Sequence, residues 1–267
     1  MKHVFLTGAS SGIGLATTEA LLARGHEVWG TSRDVNRLPP DKHFHPVQLD
    51  LRRTGEIDGA FANSLREAGH FDVVINNAGS GHFGPAEFLP MNSISEQLQI
   101  LFFAQVRLMQ LALAEMRARQ TGLIINVTSL AERLPVPFMA AYNAAKAAMA
   151  AFTMTIQIEL PSSPVRIIDL QPADICTGFN EAVSKSGSDH LYSARMSRTW
   201  DIVDRNLKNA PKPALVARHI LKLIDRTRSA PRLTVGGIFQ AQIGPFVFRF
   251  LSQRLRIWGL KKYYQLA

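Results

Sequence analysis

Three side chains suited to acid–base chemistry lie close together in the sequence. Tyr142 and Lys146 are four residues apart, so a helix would place both on one face. A free tyrosine has a pKa of about 10, and a fixed cation nearby stabilises the phenolate and lowers that pKa. Ser129, thirteen residues before Tyr142, adds a hydroxyl that can hydrogen-bond a substrate oxygen. Because tyrosine and lysine at this spacing are also common on helix surfaces, other motifs must support a catalytic interpretation.

A glycine-rich turn between the first apolar strand and a helix could bind a phosphate. Residues 7–14 read TGASSGIG. Glycines let the backbone approach a ligand, and a helix N-terminus presents free N–H groups. The glycines follow a GxxxGxG pattern and not the GxGxxG of the commoner dinucleotide-binding turn. The predicted phosphate-binding residues are Gly8, Ser10, Ser11, Gly12, Ile13 and Gly14.

The end of the second predicted strand indicates which dinucleotide would bind. An NAD site usually places an acidic residue here to hold the ribose 2′-hydroxyl, whereas the 2′-phosphate of NADP calls for a cation. This chain has Ser32 followed by Arg33, whose planar guanidinium suits a phosphate. We therefore predict a preference for NADP(H) over NAD(H). The alternative is that Arg33 is an ordinary surface arginine.

In this order, the motifs resemble those of the short-chain dehydrogenase/reductase family over about residues 3–235. Members of that family open with TGxxxGxG and carry a serine ahead of YxxxK, and residues 76–79 (NNAG) match another of its motifs. The resemblance implies an α/β fold: a single doubly wound Rossmann domain with a parallel seven-stranded sheet and helices on both faces. It also implies that Tyr142 is the general acid and base, that Lys146 holds the nicotinamide ribose and that Ser129 polarises the reacting oxygen.

The resemblance also implies cofactor contacts outside the glycine-rich turn. Asp50 stands where the family has an acid that contacts adenine, although a simple turn residue is the alternative. Thr177 is at a position that commonly contacts the nicotinamide side. The complete additional set comprises Ser32, Arg33, Asp50, Leu51, Asn77, Ala78, Gly79, Tyr142, Lys146, Pro172, Ile175 and Thr177. No metal is expected, because the protonated phenol would do the polarising.

Two positions depart from the family pattern. Ungapped alignment of residues 101–108 places Leu101 where the family has an asparagine that helps to hold a water between the lysine and solvent. Leucine can neither donate nor accept a hydrogen bond, so the proton relay would be altered or served by another group. Ala173 follows Pro172 at a position where the family usually has glycine. Alanine restricts the backbone there but does not abolish the site.

The hydrophobic pattern predicts one domain in which strands and helices alternate. The predicted strands cover residues 3–7, 27–31, 46–49, 72–76, 123–127, 165–170 and 232–235, and the helices 13–24, 56–68, 95–119, 140–160 and 213–228. Residues 174–212 look irregular, with helical fragments and no strand pattern, and we expect them to form a substrate lid. The family uses the two long central helices as subunit contacts, so the resemblance implies a homodimer or homotetramer.

Composition indicates a cytoplasmic globular protein. Hydrophobic residues make up 46% of the 267 residues, and one cysteine, Cys176, excludes both an internal disulfide and a multi-cysteine metal site. No run reaches the roughly 18 consecutive apolar residues of a membrane span, and the N-terminus runs directly into a strand, which leaves no room for a signal peptide.

The net charge of +9 is concentrated at one end of the chain. Eight basic residues and no acidic residue follow Asp225, so residues 1–225 carry only +1. From residue 244 onward these cations alternate with aromatic residues. A basic, aromatic segment could lie on an anionic membrane surface; the alternative is a helix that closes the pocket or contacts a subunit. Because no nucleic-acid-binding motif accompanies the charge, we do not expect nucleic acid as a partner.

The substrate loops are apolar. Residues 80–92 and 130–139 carry the side chains His82, Phe83, Phe88, Met91, Leu134, Val136, Phe138 and Met139. They favour a lipophilic carbonyl or secondary alcohol as substrate; the alternative is that these residues merely pack the loops down. His82 is expected to be a loop residue rather than an acid–base group.

Three functional hypotheses remain at this point. The first is an NADP(H)-dependent oxidoreductase in which Tyr142 transfers the proton. The second is a catalytically impaired sensor or scaffold that binds NADP(H), which Leu101 favours. A membrane-surface interaction protein is a third hypothesis that rests on the C-terminal segment alone.

Overall fold

Seven short apolar segments pair into one parallel sheet. The computed structural model describes residues 1–160, 164–187 and 190–266. The sheet strands are β1 (His3–Leu6), β2 (Glu27–Ser32), β3 (Phe44–Gln48), β4 (Val73–Asn76), β6 (Gly122–Val127), β7 (Val165–Pro172) and β9 (Arg232–Val235). Their order is β3-β2-β1-β4-β6-β7-β9, and every neighbouring pair is parallel. The predicted α/β fold with a seven-stranded parallel sheet is confirmed.

Helices cover both faces of this sheet, because the strands are apolar on both sides. The helices are α1 (Gly12–Leu22), α2 (Thr54–Ala68), α3 (Met91–Leu98), α4 (Ala104–Ala118), α5 (Ala140–Glu159), α6 (Phe179–Ala182), α7 (Ser193–Asn209), α8 (Ala214–Asp225), α9 (Gly244–Phe250) and α10 (Gln253–Tyr263). Side chains of α1 and α8 form one core with the sheet, while α2, α4 and α5 form the core on the other face.

The chain reverses its direction of travel across the sheet between β1 and β4. Open α/β sheets bind ligands at the carboxyl ends of the strands beside such a reversal. Here β1 is followed by the glycine-rich turn, β4 by residues 77–79, and β6 by Ser129. The topology therefore brings the sequence motifs to one edge of the sheet.

The predicted long central helix, residues 95–119, has different bounds and an internal irregularity. It begins at Met91, directly after Pro90, and contains a wider π-helical turn over Gln99–Phe103 before α4. By length and composition the stretch Met91–Ala118 could cross a membrane. Its side chains Leu108 and Met109, however, are fully buried in the core against the sheet, as expected of a central helix in this fold.

The predicted irregular lid, residues 174–212, contains more regular structure than its sequence indicated. α7 runs for 17 residues, and β8 (Ser184–Lys185) pairs in parallel with β5 (His82–Phe83) of the preceding substrate loop. The expectation of no strand was wrong, because two residues paired across distant segments leave no local pattern. Residues 188 and 189 of the predicted lid lie outside the described residues.

Candidate active site

Lys146 joins α5 to the end of β6. Its ammonium donates a hydrogen bond of 2.8 Å to the carbonyl oxygen of Val127, and the side chain is only 3% exposed. Burial lowers the pKa of Lys146 to about 8, although the carboxylate of Asp169 acts in the opposite direction. The ammonium lies 6.0 Å from the centre of the Tyr142 ring, as their shared helix face requires.

Tyr142 and Ser129 are brought together from two separate elements. Ser129 follows β6 and accepts a hydrogen bond from the Ala131 amide at 3.1 Å, which fixes the turn that carries it. Burial raises the pKa of Tyr142 above its ordinary value, and the hydrogen bond with Ser129 lowers it by a smaller amount. The sequence led us to expect a net lowering by Lys146. The structure instead keeps Tyr142 as a neutral phenol.

Apolar side chains pack around Tyr142, which itself stays partly exposed. Tyr142 packs against a cluster built from both substrate loops and the lid, and its ring centre lies 5.7 Å from that of Phe179. The cluster comprises Phe83, Val136, Phe138, Met139, Phe179, Val183, Met196 and Trp200. Asn143 closes one loop over α5, since its amide donates to the Val136 carbonyl at 2.9 Å.

Part of the predicted apolar wall lies elsewhere. Phe88 is 43% exposed and Met91 is 71% exposed, and neither belongs to the cluster around Tyr142. His82 is nearly buried, and its ring nitrogens contact the hydroxyls of Ser184 and Ser186. These contacts tie the substrate loop to the lid, which supports a structural role for His82.

The glycine-rich turn has the shape of a phosphate cradle. Gly8 and Gly12 have φ angles of +71° and +54°, which side chains disfavour. A Cβ added to Gly14 would lie 1.9 Å from the Gly8 carbonyl oxygen, so only glycine fits there. Ser11 precedes α1 without a side-chain hydrogen bond to the helix, which leaves first-turn N–H groups for an anion. The residues present therefore fit a dinucleotide phosphate.

Neighbouring motifs surround this cradle. Thr7 Oγ1 accepts hydrogen bonds from the amides of Asn77 and Ala78, at 2.9 Å and 3.0 Å. The Asn77 side chain donates to the Thr7 carbonyl at 2.9 Å. A Cβ at Gly12 would lie 3.4 Å from Thr177, which places the predicted nicotinamide-side residue beside the turn. Ser10 and Ile13 are partly buried within the turn.

The remaining predicted cofactor residues occupy the same edge. Ser32 is buried at the end of β2, whereas Arg33 is exposed. Asp50 is bonded to Arg52 by side-chain hydrogen bonds of 2.6–3.0 Å, which lower the pKa of its carboxyl group. Four more of the predicted cofactor residues lie near the strand ends. Leu51 and Ile175 are buried, Gly79 follows β4 and Pro172 ends β7.

Leu101 lies at the centre of the π-helical turn and is fully buried. A Cβ at Gly79 would lie 3.6 Å from its side chain, so Leu101 faces the NNAG loop. Polar groups flank it one turn away on either side. Gln97 donates to Ser80 Oγ at 2.8 Å and Gln105 donates to the Ala78 carbonyl at 2.9 Å. Both glutamines are buried, and they hold the loop where Leu101 itself cannot.

Two groups of polar residues near the site were missed by the sequence analysis. Asn76 donates to Asn126, which in turn donates to Thr153, both at 2.9 Å, so β4, β6 and α5 are joined inside the core. Asp169, also buried, accepts hydrogen bonds from Thr128 and Arg232. The sequence signal that could have found them is the presence of polar residues within otherwise apolar strands.

Asp174 is a further residue that sequence reasoning passed over. It follows β7 by two residues, and its carboxylate accepts a hydrogen bond of 2.8 Å from Gln240. Burial raises the pKa of this carboxyl group. Asp174 is close enough to raise the pKa values of Tyr142 and Tyr264 by electrostatic interaction. A carboxyl group therefore lies within electrostatic range of the predicted catalytic tyrosine.

Comparison with known proteins identifies the family. The sequence model of the short chain dehydrogenase family matches residues 2–187. The chain belongs to the short-chain dehydrogenase family. This dehydrogenase is 30% identical over 243 residues to 3-ketodihydrosphingosine reductase of Bacteroides thetaiotaomicron, covering 89% of this chain and 88% of the relative.

Two further relatives agree with this assignment. The dehydrogenase is 29% identical over 188 residues to NADPH-dependent 3-dehydrocapnine reductase of Ornithobacterium rhinotracheale, with 66% of each protein covered. A solved short-chain dehydrogenase from Streptomyces avermitilis superposes with a TM-score of 0.84 at 26% identity, over 99% of this chain and 97% of the other. The protein thus belongs to an oxidoreductase family.

The lowered pKa of Lys146 makes a prediction about stability. Between pH 8 and 10.5 the folded state holds fewer protons on this lysine than the unfolded state, so the free energy of unfolding should rise with pH across that window. Lys146→Met removes this contribution. Urea denaturation at several pH values should show a smaller rise for Lys146→Met than for the parent protein.

The exposed Lys42 provides the matched control, since Lys42→Met should keep the parental dependence on pH. An unchanged rise in Lys146→Met would contradict the assignment of a depressed pKa to this residue.

Proposed function

We propose that this dehydrogenase transfers hydride between NADP(H) and a lipophilic ketone or the corresponding secondary alcohol, with Tyr142 transferring the proton. The observation that carries the proposal is the packing of apolar side chains around the partly buried Tyr142, with Ser129 and Lys146 beside it. These side chains reduce the contact of the phenol with water, so a reacting oxygen there would have few other polar partners.

The cofactor would be held along the carboxyl edge of the sheet. Its phosphates suit the cradle of Gly8, Gly12 and Gly14 at the N-terminus of α1. The exposed guanidinium of Arg33 and the hydroxyl of Ser32 would bind a 2′-phosphate, and no acidic side chain stands at Ser32 to repel it. When bound, the nicotinamide supplies or accepts the hydride.

The protein's own residues handle the proton. Because burial keeps the pKa of Tyr142 high, its hydroxyl remains protonated and can donate to the carbonyl oxygen during reduction. Ser129 would donate a second hydrogen bond to the same oxygen, after its hydroxyl rotates. Lys146, anchored on the Val127 carbonyl, stands on the same helix face and would bind ribose hydroxyls.

We further propose that the substrate carries a long alkyl chain and an amino group close to its carbonyl. The chain would occupy the cluster that contains Phe83, Phe138 and Trp200. The ammonium would pair with Asp174, a half-buried carboxylate that accepts a hydrogen bond from Gln240 and whose pKa is raised by burial. One relative is named as a reductase of 3-ketodihydrosphingosine, which is a long-chain ketone with an amino group next to the carbonyl.

A catalytically impaired NADP(H)-binding protein is the second candidate. Leu101 favours it, because no hydrogen-bonding group stands at that position of the π-helical turn. Ser129, Tyr142 and Lys146 favour the enzyme, since the same edge of the sheet brings all three together. The two candidates differ in whether NADPH is consumed.

Replacement of Tyr142 tests the enzyme directly. Tyr142→Phe keeps the ring in its apolar cluster and removes only the proton donor. Turnover should fall by about a hundredfold or more, while the affinity for NADPH stays within a few-fold of the parental value. The assay is loss of NADPH absorbance across a panel of aliphatic, aromatic and long-chain amino ketones, with cofactor binding measured by fluorescence titration.

Tyr263→Phe, at an exposed tyrosine of α10, should retain activity and serves as the control. Tight NADPH binding by the parent protein without turnover on any ketone would instead favour the sensor or scaffold.

Replacement of Arg33 tests the choice of cofactor. Arg33→Ala should lower kcat/KM for NADPH by about ten- to a hundredfold, as expected when a charge-assisted hydrogen bond to phosphate is lost. Activity with NADH should change little, because NADH lacks the 2′-phosphate. The exposed Arg37 on the following turn provides the control variant Arg37→Ala. A parent protein that used NADH as efficiently as NADPH would refute the proposed preference.

Replacement of Asp174 tests the amino group. Asp174→Asn keeps the size of the side chain and removes its charge, so kcat/KM for 3-ketodihydrosphingosine should fall by about tenfold or more. A ketone of equal chain length without the amino group should be affected little. Asp201→Asn, at an exposed acid of α7, is the matched control. An equal loss with both ketones would assign Asp174 a role in positioning Gln240 or Tyr142 instead.

A further inference from the structure

The end of the chain exposes most of the protein's large apolar side chains. In the described part of the chain, seventeen such side chains are exposed, and ten of these follow residue 237. The most exposed of these ten side chains are Ile238, Phe239, Phe246, Phe250 and Trp258, at 58–71%. Proteins that remain in water rarely concentrate apolar surface in this way. We call residues 238–266 the C-terminal segment.

Most large side chains of the segment face outward, although Tyr264 is buried. Ala241 and Pro245 are buried against the domain, whereas Phe246 and Phe250 are exposed and contact each other, with ring centres 5.3 Å apart. A helix that merely closed the domain would bury its aromatic residues. The outward aromatic residues of α9 and α10 therefore call for a partner.

Cations are interleaved with this apolar surface. The segment carries Arg249, Arg254, Arg256, Lys261 and Lys262 and no acidic residue. The Lys262 ammonium lies 5.0 Å from the centre of the Trp258 ring, and the Arg256 guanidinium lies 5.2 Å from that of Phe248. Within residues 1–160, 164–187 and 190–266, none of these five cations forms a salt bridge.

This combination fits an anionic lipid surface better than the other possible partners. A second copy of the same segment would bring five cations against five, which repel each other. A nucleic acid stacks its bases on aromatic rings, but Ile238, Leu255 and Ile257 offer none. Tryptophan and lysine at the lipid–water interface, with apolar side chains below the headgroups, are characteristic of proteins that lie on a bilayer.

The segment is also attached to the substrate side of the domain. Gln240 donates to Asp174, and Asn206 of α7 donates to the Tyr263 hydroxyl at 2.7 Å. A Cβ at Gly244 would lie 3.8 Å from Leu134 of the substrate loop. A surface on which the segment rests would therefore lie beside the lid and the substrate loop.

We propose that the C-terminal segment docks the protein onto anionic bilayers, with Phe246, Phe250 and Trp258 inserted among the headgroups and the five cations on the lipid phosphates. The docking places the lid at the membrane surface, where a lipid substrate is found; only this last point rests on the proposed function. The docking itself requires no catalytic activity.

Sedimentation with vesicles tests the proposal on the full-length protein. Phosphatidylcholine vesicles containing phosphatidylserine should bind the protein at low salt, and vesicles of phosphatidylcholine alone should bind it much less. Arg249→Gln/Arg254→Gln/Lys261→Gln should lower the partition coefficient by about a hundredfold. Lys42→Gln/Arg117→Gln/Arg218→Gln, three exposed cations outside the lid and the segment, is the control with equal net charge and should reduce it far less.

The apolar contribution is tested separately. Phe246→Ala/Phe250→Ala/Trp258→Ala should weaken binding by at least about tenfold, whereas the exposed Met91→Ala should not. Tryptophan emission should shift to the blue when phosphatidylserine vesicles are added, and Trp258→Phe should abolish this shift. Both triple variants of the segment should keep the parental turnover with a water-soluble ketone. Circular dichroism confirms that each variant is folded.

Three outcomes would overturn the proposal. The first is no sedimentation with phosphatidylserine vesicles at low salt. The second is binding that neither triple variant of the segment weakens. The third is association between protein molecules, without lipid, that shifts Trp258 emission to the blue and is lost in the apolar triple variant, which would assign the surface to a second copy of the chain.

Discussion

The hydrogen bond from the Lys146 ammonium to the Val127 carbonyl is the contact on which the geometry of the candidate active site depends. It fastens α5 to the end of β6 over 2.8 Å. Tyr142 lies one helical turn before Lys146, and Ser129 lies two residues after Val127, so this contact sets the distance between phenol and hydroxyl. A cation buried to this degree is costly, and its lowered pKa is the result. The burial that accompanies this contact therefore makes the ammonium easier to deprotonate.

Buried polar groups support that arrangement from beneath. The chain of Asn76, Asn126 and Thr153 joins two strands to α5 inside an otherwise apolar core. Removing one member would leave its neighbour buried without a partner, which costs more than the net contribution of the hydrogen bond itself. Asp169 holds Thr128, the residue before Ser129, in the same way. These networks allow one orientation of the strand ends, which a catalytic arrangement requires.

The two sides of the site are built on different physics. The cofactor side is made of backbone, glycine and short hydrogen bonds, because a phosphate needs close approach and N–H donors. The substrate side is an apolar cluster around Tyr142, interrupted by the carboxyl group of Asp174. Leu101 extends the apolar character to the π-helical turn, where Gln97 and Gln105 provide the polar contacts instead. The lid is held to this side of the site by the pairing of β5 with β8 and by the contacts of His82, and the C-terminal segment is held by the hydrogen bond from Gln240 to Asp174.

The sequence by itself determined the parts of this protein that depend on local pattern. Alternating apolar strands and amphipathic helices specify the parallel sheet. The positive φ angles at Gly8 and Gly12 favour glycine, and the helical period places Tyr142 and Lys146 on one face. Each of these features follows from interactions within a few residues.

Only the tertiary structure decided the features that depend on residues far apart in the chain. The pairing of His82–Phe83 with Ser184–Lys185 has no local pattern, and neither has the approach of Asp174 to Tyr142 or of Gln240 to Asp174. The pKa of Tyr142 was misjudged for the same reason. Spacing shows that a cation is near, but the opposing effect of burial depends on the loops that close over the ring. Burial is a property of the whole fold, so no short stretch of sequence contains it.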